Sequence, residues 1–196
     1  MLCTNQIKEF SLKSDVCSVL VFGLPGSGKT HLINSLQEKL PHYERLSGGS
    51  LINAALTEEQ RDSLRALSSS LVIGNQEILV FNYWRKIAED NISHLFFDGH
   101  LMVRSSKEET IIPLEVIRKL SPRLMVFLDV PADKILSQRV ADASRPDRAS
   151  QNVRSLEEER CAQLGIFTDY GKALGVDTIV FSGRDIGALL EKIEKL

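Results

Sequence analysis

Four short runs of β-branched and aromatic residues punctuate the chain: Ser18–Phe22 (SVLVF), Ser93–Phe97 (SHLFF), Leu124–Leu128 (LMVFL) and Thr178–Phe181 (TIVF). Each is continuously apolar or nearly so rather than strictly alternating. That is the pattern of a strand covered on both faces, and it predicts buried parallel strands. A weaker fifth candidate lies near Tyr43–Leu46. Between the runs the pattern predicts helices over Lys29–Leu40, Thr57–Leu67, Asn75–Asp90, Pro113–Leu120, Ala132–Ala141, Leu156–Leu174 and Asp185–Lys195. Strand and helix alternate from Ser18 onward, which predicts an α/β fold: a five-stranded parallel sheet with helices on both faces.

Several boundaries have a local chemical cause. Thr57 with Gln60 matches a capping box, and Ser155 with Glu158 matches a second. Pro131 follows the LMVFL run where a helix-opening proline fits. No internal repeat or low-complexity tract interrupts the chain, and 196 residues suit one domain. The expected division is an N-terminal extension over residues 1–16 and a single domain over 17–196.

Composition narrows the class without naming a chemistry. Hydrophobic residues at 43% and charged residues at 26% are ordinary for a globular protein. A formal net charge of -2 gives no general attraction to nucleic acid or an anionic membrane, so any positive site must be local. Cys3, Cys17 and Cys161 show no paired spacing, which fits reduced thiols better than disulfides or zinc. No signal-like segment or long apolar span is apparent, and the expectation is a cytoplasmic protein.

The chemistry begins at Gly23-Leu24-Pro25-Gly26-Ser27-Gly28-Lys29-Thr30, which satisfies G-x-x-x-x-G-K-[ST] between a strand and a helix. Gly23, Gly26 and Gly28 let successive backbone N–H groups turn inward around an anion, and the following helix adds its positive end. Pro25 and Ser27 belong to the same loop. Lys29 is expected to reach the β- and γ-phosphates of a nucleoside triphosphate, and Thr30 to offer its hydroxyl to magnesium.

Three further groups extend the site. Asp98 ends the SHLFF strand, on the ligand side of an open α/β sheet, where it would hold magnesium beside Thr30. His100 reads equally as a packed loop histidine or a catalytic one. Arg139, Arg145 and Arg148 follow the LMVFL strand, with Arg145 and Arg148 in a polar break suited to a mobile lid; such arginines stabilise charge on a transferring phosphoryl group. Arg154 lies nearby, with function and a solvated salt bridge equally open. For the phosphoryl acceptor the candidates are Ser47-Gly48-Gly49-Ser50 and the pair Arg61 and Arg65, one helical turn apart. The pair also fits a solvated amphipathic helix. Core packing is the default reading of Tyr83 and Trp84.

These motifs together resemble a known family. GLPGSGKT resembles the loop of adenylate kinases and related nucleoside monophosphate kinases, and Leu46–Ile52 looks like their acceptor-binding turn. Arg61-Asp62-x-x-Arg65, the long helix through Gln76 and Ala88, and Asp98-Gly99-His100 are most similar to the archaeal-type adenylate kinases. Val130-Pro131-Ala132 with Arg139, Arg145 and Arg148 resembles that group's short lid. The resemblance implies a P-loop NTPase fold and transfer of phosphate from ATP, with Mg2+, to a nucleoside monophosphate. It also implies an acceptor-binding part over 46–70, holding Ser47, Gly49, Arg61, Arg65 and Asp98, and a short lid over 142–155. Archaeal-type enzymes are often oligomeric, which leaves an oligomer open here.

Two departures mark the acceptor side. The common adenylate kinase pattern places an arginine after the turn where this chain has Asn53, and an acidic residue where it has Ser50. Arg61 or Arg65 would compensate. The alternatives are an ATP-hydrolysing switch or assembly factor, and a P-loop kinase for another small molecule.

Overall fold

The computed structural model describes residues 16–54, 69–104, 109–141 and 152–196. In chain order the elements are β1 (Cys17–Phe22), α1 (Lys29–Lys39), β2 (Glu44–Ser47), α2 (Gly48–Asn53), α3 (Ser69–Asp90) and β3 (His94–Asp98). They continue with β4 (Met102–Arg104), β5 (Glu109–Ile111), α4 (Leu114–Lys119), β6 (Leu124–Leu128), α5 (Ala132–Ala141), α6 (Val153–Leu174), β7 (Asp177–Phe181) and α7 (Ile186–Ile193). Five strands form one sheet in the order β2-β3-β1-β6-β7, with every neighbouring pair parallel. The chain lays β2 and β3 on one side of β1 and β6 and β7 on the other. The loop after β1 therefore opens at the point where strand order reverses, the crevice in which open α/β sheets bind ligands.

β1 is buried along its whole length, as its continuous apolar run predicts. Strand periodicity then divides its side chains between two cores. Leu20 and Phe22 pack with α3, α4, α5 and α6, in a core that includes Tyr83, Phe97, Phe127 and Phe167. Val19 and Val21 pack against Ile33 and Leu36 of α1 and Leu189 and Ile193 of α7. Each large buried side chain contributes about 1.5–3 kcal/mol of transfer free energy, so the sheet is held from both faces.

The expected strands all form, but β7 is not buried as its apolar run suggests. It is an edge strand, with Val180 52% exposed and only Phe181 fully covered. Helix α7 covers one side of the strand through Ile179 and Phe181. On the other side α6 approaches closely enough that a Cβ at Gly171 would stand 2.2 Å from Thr178 Cγ2.

Other boundaries move for local reasons. The capping box expected at Ser155 and Glu158 is replaced by a cap one turn earlier. Asn152 Oδ1 accepts the Ser155 N–H at 2.8 Å, so the helix starts at Val153. Glu158 instead pairs with Arg154. Gly175, in the left-handed region at φ 65°, ends the helix. Helix α3 begins at Ser69, ahead of the predicted Asn75. The predicted helix over Thr57–Leu67, with its capping box, lies outside the described residues, as do residues 1–15 of the expected extension.

Among the described residues three elements, α2, β4 and β5, have no counterpart in the sequence pattern. α2 is a short helix carrying Gly48 and Gly49, whose helix propensity is poor. β4 and β5 form a separate antiparallel pair. Tyr83 and Trp84 do belong to the core. Tyr83 Oη donates to Leu120 O at 3.1 Å and Trp84 Nε1 donates to Lys119 O at 2.8 Å, fixing α3 against the end of α4. Trp84→Phe leaves the Lys119 carbonyl short of its donor and removes ring volume from the core. A loss of about 1–3 kcal/mol is expected by urea denaturation.

Candidate functional site

The phosphate-binding loop is shaped by where β1 ends. Gly23 adopts φ 143°, and a Cβ there would stand 2.7 Å from the Leu128 carbonyl oxygen of β6. Gly26 adopts φ 85° against the side chain of Arg139, and Gly28 adopts φ 94° with open space where a Cβ would project. The turn is closed by a hydrogen bond from Ser27 N to Leu24 O at 3.1 Å. Gly28 is also the N-cap of α1, and no side chain caps that helix end. Its first-turn amides are thereby left to face the loop, with the positive end of the helix behind them.

Lys29 is 5% exposed, and its ammonium turns back onto the loop, donating to Gly23 O at 2.8 Å and Leu24 O at 3.1 Å. Arg139 is 4% exposed and donates through Nε and Nη2 to Pro25 O at 2.9 and 2.7 Å. A guanidinium predicted to face transferring phosphate therefore also braces the loop from α5.

Thr30 and Asp98, both expected to serve magnesium, lie side by side. Thr30 Oγ1 donates to Asp98 Oδ2 at 3.3 Å, bringing the start of α1 to the end of β3. Arg45 of β2 joins them, with Nη2 donating to Asp98 Oδ2 at 3.2 Å and to Thr30 Oγ1 at 3.3 Å. Its Nη1 donates to Asn34 Oδ1 at 3.4 Å. Sequence reasoning missed Arg45. Its only sequence signal was a basic residue inside a weak strand that ends at the glycine turn.

On the acceptor side, Ser47 is the N-cap of α2 and its hydroxyl accepts the Ser50 N–H at 3.5 Å, while Gly49 sits in that helix's first turn. Both border the cleft that begins at the loop. Arg154 lies at the surface, its side chain 89% exposed and paired with Glu158 at 3.1 Å. Arg61, Arg65, Arg145 and Arg148 lie outside the described residues.

Three spaces line up along the loop side of the sheet. A polar cleft of about 780 Å³ contains Lys29, Thr30, Arg45, Ser47, Asp98 and Arg139. It shares Gly49, Asn53 and His100 with an apolar cavity of about 250 Å³ walled by Ile52, Leu79, Phe97, Val103, Ile112 and Ile117. Asn75 and Gln76 border that cavity too. On its other side the cleft shares Gly28 and Gln138 with a groove of about 460 Å³ between α1 and the loop after β7, bordered by His31, Ser35, Phe181, Gly183 and Arg184.

The residues fit a triphosphate and its magnesium. The Ser27 hydroxyl is buried without a hydrogen-bond partner among the described residues, an orphan that a phosphate oxygen would satisfy. Thr30 and Asp98 offer adjacent hard oxygen donors, the type magnesium takes.

Sheet order, loop and carboxylate define an α/β protein of the P-loop kinase fold. Solved structures share it: shikimate kinase from Bacteroides thetaiotaomicron has a TM-score of 0.52 and 16% identity, covering 91% of this chain and 97% of that one. A sugar kinase from Janibacter sp. HTCC2649 has a TM-score of 0.52 at 15% identity, covering 92% and 93%.

The chain belongs to the AAA_17 family of AAA domains, whose profile matches residues 22–157. It is also similar to archaeal adenylate kinases, in line with the resemblance read from the motifs. Identity is 28% over 192 residues to the adenylate kinase of Methanococcus vannielii, covering 91% of this chain and 95% of that protein. It is 28% over 166 residues to that of Methanoculleus marisnigri, covering 80% and 84%. No helix among the described residues is long and apolar enough to cross a membrane.

Gly23→Ala is expected to abolish tight triphosphate binding, since the new methyl group meets a main-chain oxygen that cannot turn aside. Calorimetric titration with Mg-ATP checks this: affinity should fall by about two orders of magnitude or more, with a lower melting temperature.

Proposed function

We propose that the protein is an ATP-dependent nucleoside monophosphate kinase of the adenylate kinase type, converting ATP and a monophosphate to ADP and a diphosphate. The observation that carries this reading is the continuity of the polar cleft at Lys29 and Asp98 with the apolar cavity beside α2, through Gly49, Asn53 and His100. A kinase acting on water needs no second compartment. One that passes a phosphoryl group from one nucleotide to another needs a polar channel for phosphates with an apolar recess for the acceptor's base. The similarity to archaeal adenylate kinases supports the same reading.

In this proposal the donor's phosphates lie over Gly23–Thr30 and its base lies toward the groove bordered by His31 and Arg184. Lys29 leaves the carbonyls of Gly23 and Leu24 for the β- and γ-phosphates, exchanging neutral acceptors for charged ones. Ser27 donates its hydroxyl to a phosphate oxygen, while Arg139 holds the loop through Pro25. Thr30 and Asp98 would hold magnesium, which would supply positive charge to the donor oxygens. Ser47, Gly49, Arg61 and Arg65 serve the acceptor in the 46–70 part, and Arg145 and Arg148 close from the 142–155 lid. Catalysis is alignment and charge stabilisation, with no covalent intermediate and no general base.

Lys29→Ala is expected to lower ADP formation from ATP and AMP by at least about a hundredfold in a coupled assay, with the fold retained by circular dichroism. Undiminished transfer in that variant would refute the mechanism. The acceptor is found by offering the wild-type protein each nucleoside and deoxynucleoside monophosphate with ATP and reading product nucleotides directly. Transfer to one or two of them is expected. ATP consumed with no phosphorylated acceptor would instead favour a hydrolysing switch.

A further inference from the structure

We propose that Arg45 is a resident cation of the magnesium site, clasping Thr30 and Asp98 when the metal is absent and yielding its place when the metal enters. The inference rests on the reading of Thr30 and Asp98 as the magnesium residues, and on nothing about the acceptor.

One nitrogen carries the argument. Arg45 Nη2 stands 3.2 Å from Asp98 Oδ2 and 3.3 Å from Thr30 Oγ1, and those two oxygens are themselves 3.3 Å apart. A positive donor therefore occupies the two oxygens that would hold the metal ion. The guanidinium and the ion carry like charge and want the same lone pairs, so both cannot hold Asp98 Oδ2 at close range. The Asp98 side chain is only 12% exposed, so solvent does little to weaken that competition.

The fit of Arg45 is that of an occupant able to leave. Its Nε is buried with no hydrogen-bond partner among the described residues, so the clasp satisfies the guanidinium only in part. Its side chain is 29% exposed and borders the open cleft rather than the core. Among the described residues Nη1 reaches only the exposed Asn34 amide oxygen, at 3.4 Å. Lys29 and Arg139, the other cations of the cleft, differ in being almost wholly buried against loop carbonyls. Without metal, Arg45 keeps the Asp98 carboxylate neutralised and the ends of β2, β3 and α1 together. With metal that role passes to the ion.

The test is Mn2+ uptake by the full chain without nucleotide, followed by electron paramagnetic resonance, in wild type, Arg45→Gln and Arg45→Lys. Lysine keeps the charge but lacks the planar fork that spans Thr30, Asp98 and Asn34. Both variants are expected to bind Mn2+ more tightly than wild type, Arg45→Gln by about tenfold, the size of effect from removing a unit charge near a divalent ion. Adding Asp98→Asn to either variant should cancel the gain. The clasp is overturned if neither variant gains affinity, if the gain survives Asp98→Asn, or if Arg45→Lys matches wild type while Arg45→Gln gains. That last pattern would mean a distant field rather than occupancy. Failure to phosphorylate any monophosphate would count against the kinase reading and leave this measurement intact.

Discussion

At Gly23 the main chain leaves β1 so close to β6 that a Cβ there would stand 2.7 Å from the Leu128 carbonyl oxygen. That approach sets the rest of the site. A chain departing further out would carry the loop away from the sheet edge and separate the start of α1 from the end of β3. Because β1 is the central strand, the departure point is fixed by two ladders at once: Val21 pairs with Asp98 on one side and Phe22 with Phe127 on the other. The register that buries Leu20 and Phe22 therefore also sets Thr30 within 3.3 Å of Asp98. A one-residue slip would reverse every side chain and dismantle core and site together.

Within that frame the cleft manages positive charge on a chain whose formal net charge is -2. Lys29 and Arg139 are each more than nine-tenths buried, a costly location for charge unless polar partners surround it. Loop carbonyls supply them: those of Gly23 and Leu24 for Lys29, and that of Pro25 for Arg139. The loop's backbone is thus pinned from within by an ammonium and from α5 by a guanidinium. In the proposed reaction the Arg139 brace on Pro25 stays in place when Lys29 turns to the phosphates, which limits reorganisation of the loop. Another cluster, Arg160 with Asp129 and Glu157, ties the first turns of α6 to the end of β6, and none of the three lines the cleft.

The sequence shows most clearly what is local. The loop glycines, Lys29 and Thr30 share one short motif, and Asp98 is readable because a strand's end is marked by where its apolar run stops. The two-faced sheet follows from continuous runs for the same reason. Arg45 was not readable. Its importance comes from β2 lying beside β3, which pairs Ser47 with Asp98, and no property of Tyr43–Leu46 by itself announces that neighbour. The same is true of the apolar cavity, assembled from α2, α3, β3, β4 and α4. Burial of β7 was overread because TIVF has the composition of a central strand, whereas exposure depends on its place at the sheet's edge. At Asn152 two capping residues competed, and the earlier one won by satisfying the Ser155 amide.

The contrast between cavity and cleft bears on how a site of this kind discriminates. The cleft is built from charge and backbone and can hold phosphate whatever base carries it. The cavity wall is aliphatic and aromatic, with Asn53, Gln76 and His100 as polar points at its border. Apolar walls distinguish shapes weakly, whereas a buried polar group left unpaired penalises a wrong ligand strongly. Gln76 is 5% exposed and already engaged in the protein, so a base that enters must match or replace its present interaction. In the proposed reaction, selectivity would then belong to α2 and α3 rather than to the loop. In the proposed reaction, this arrangement would separate the task of holding phosphate from that of choosing what receives it.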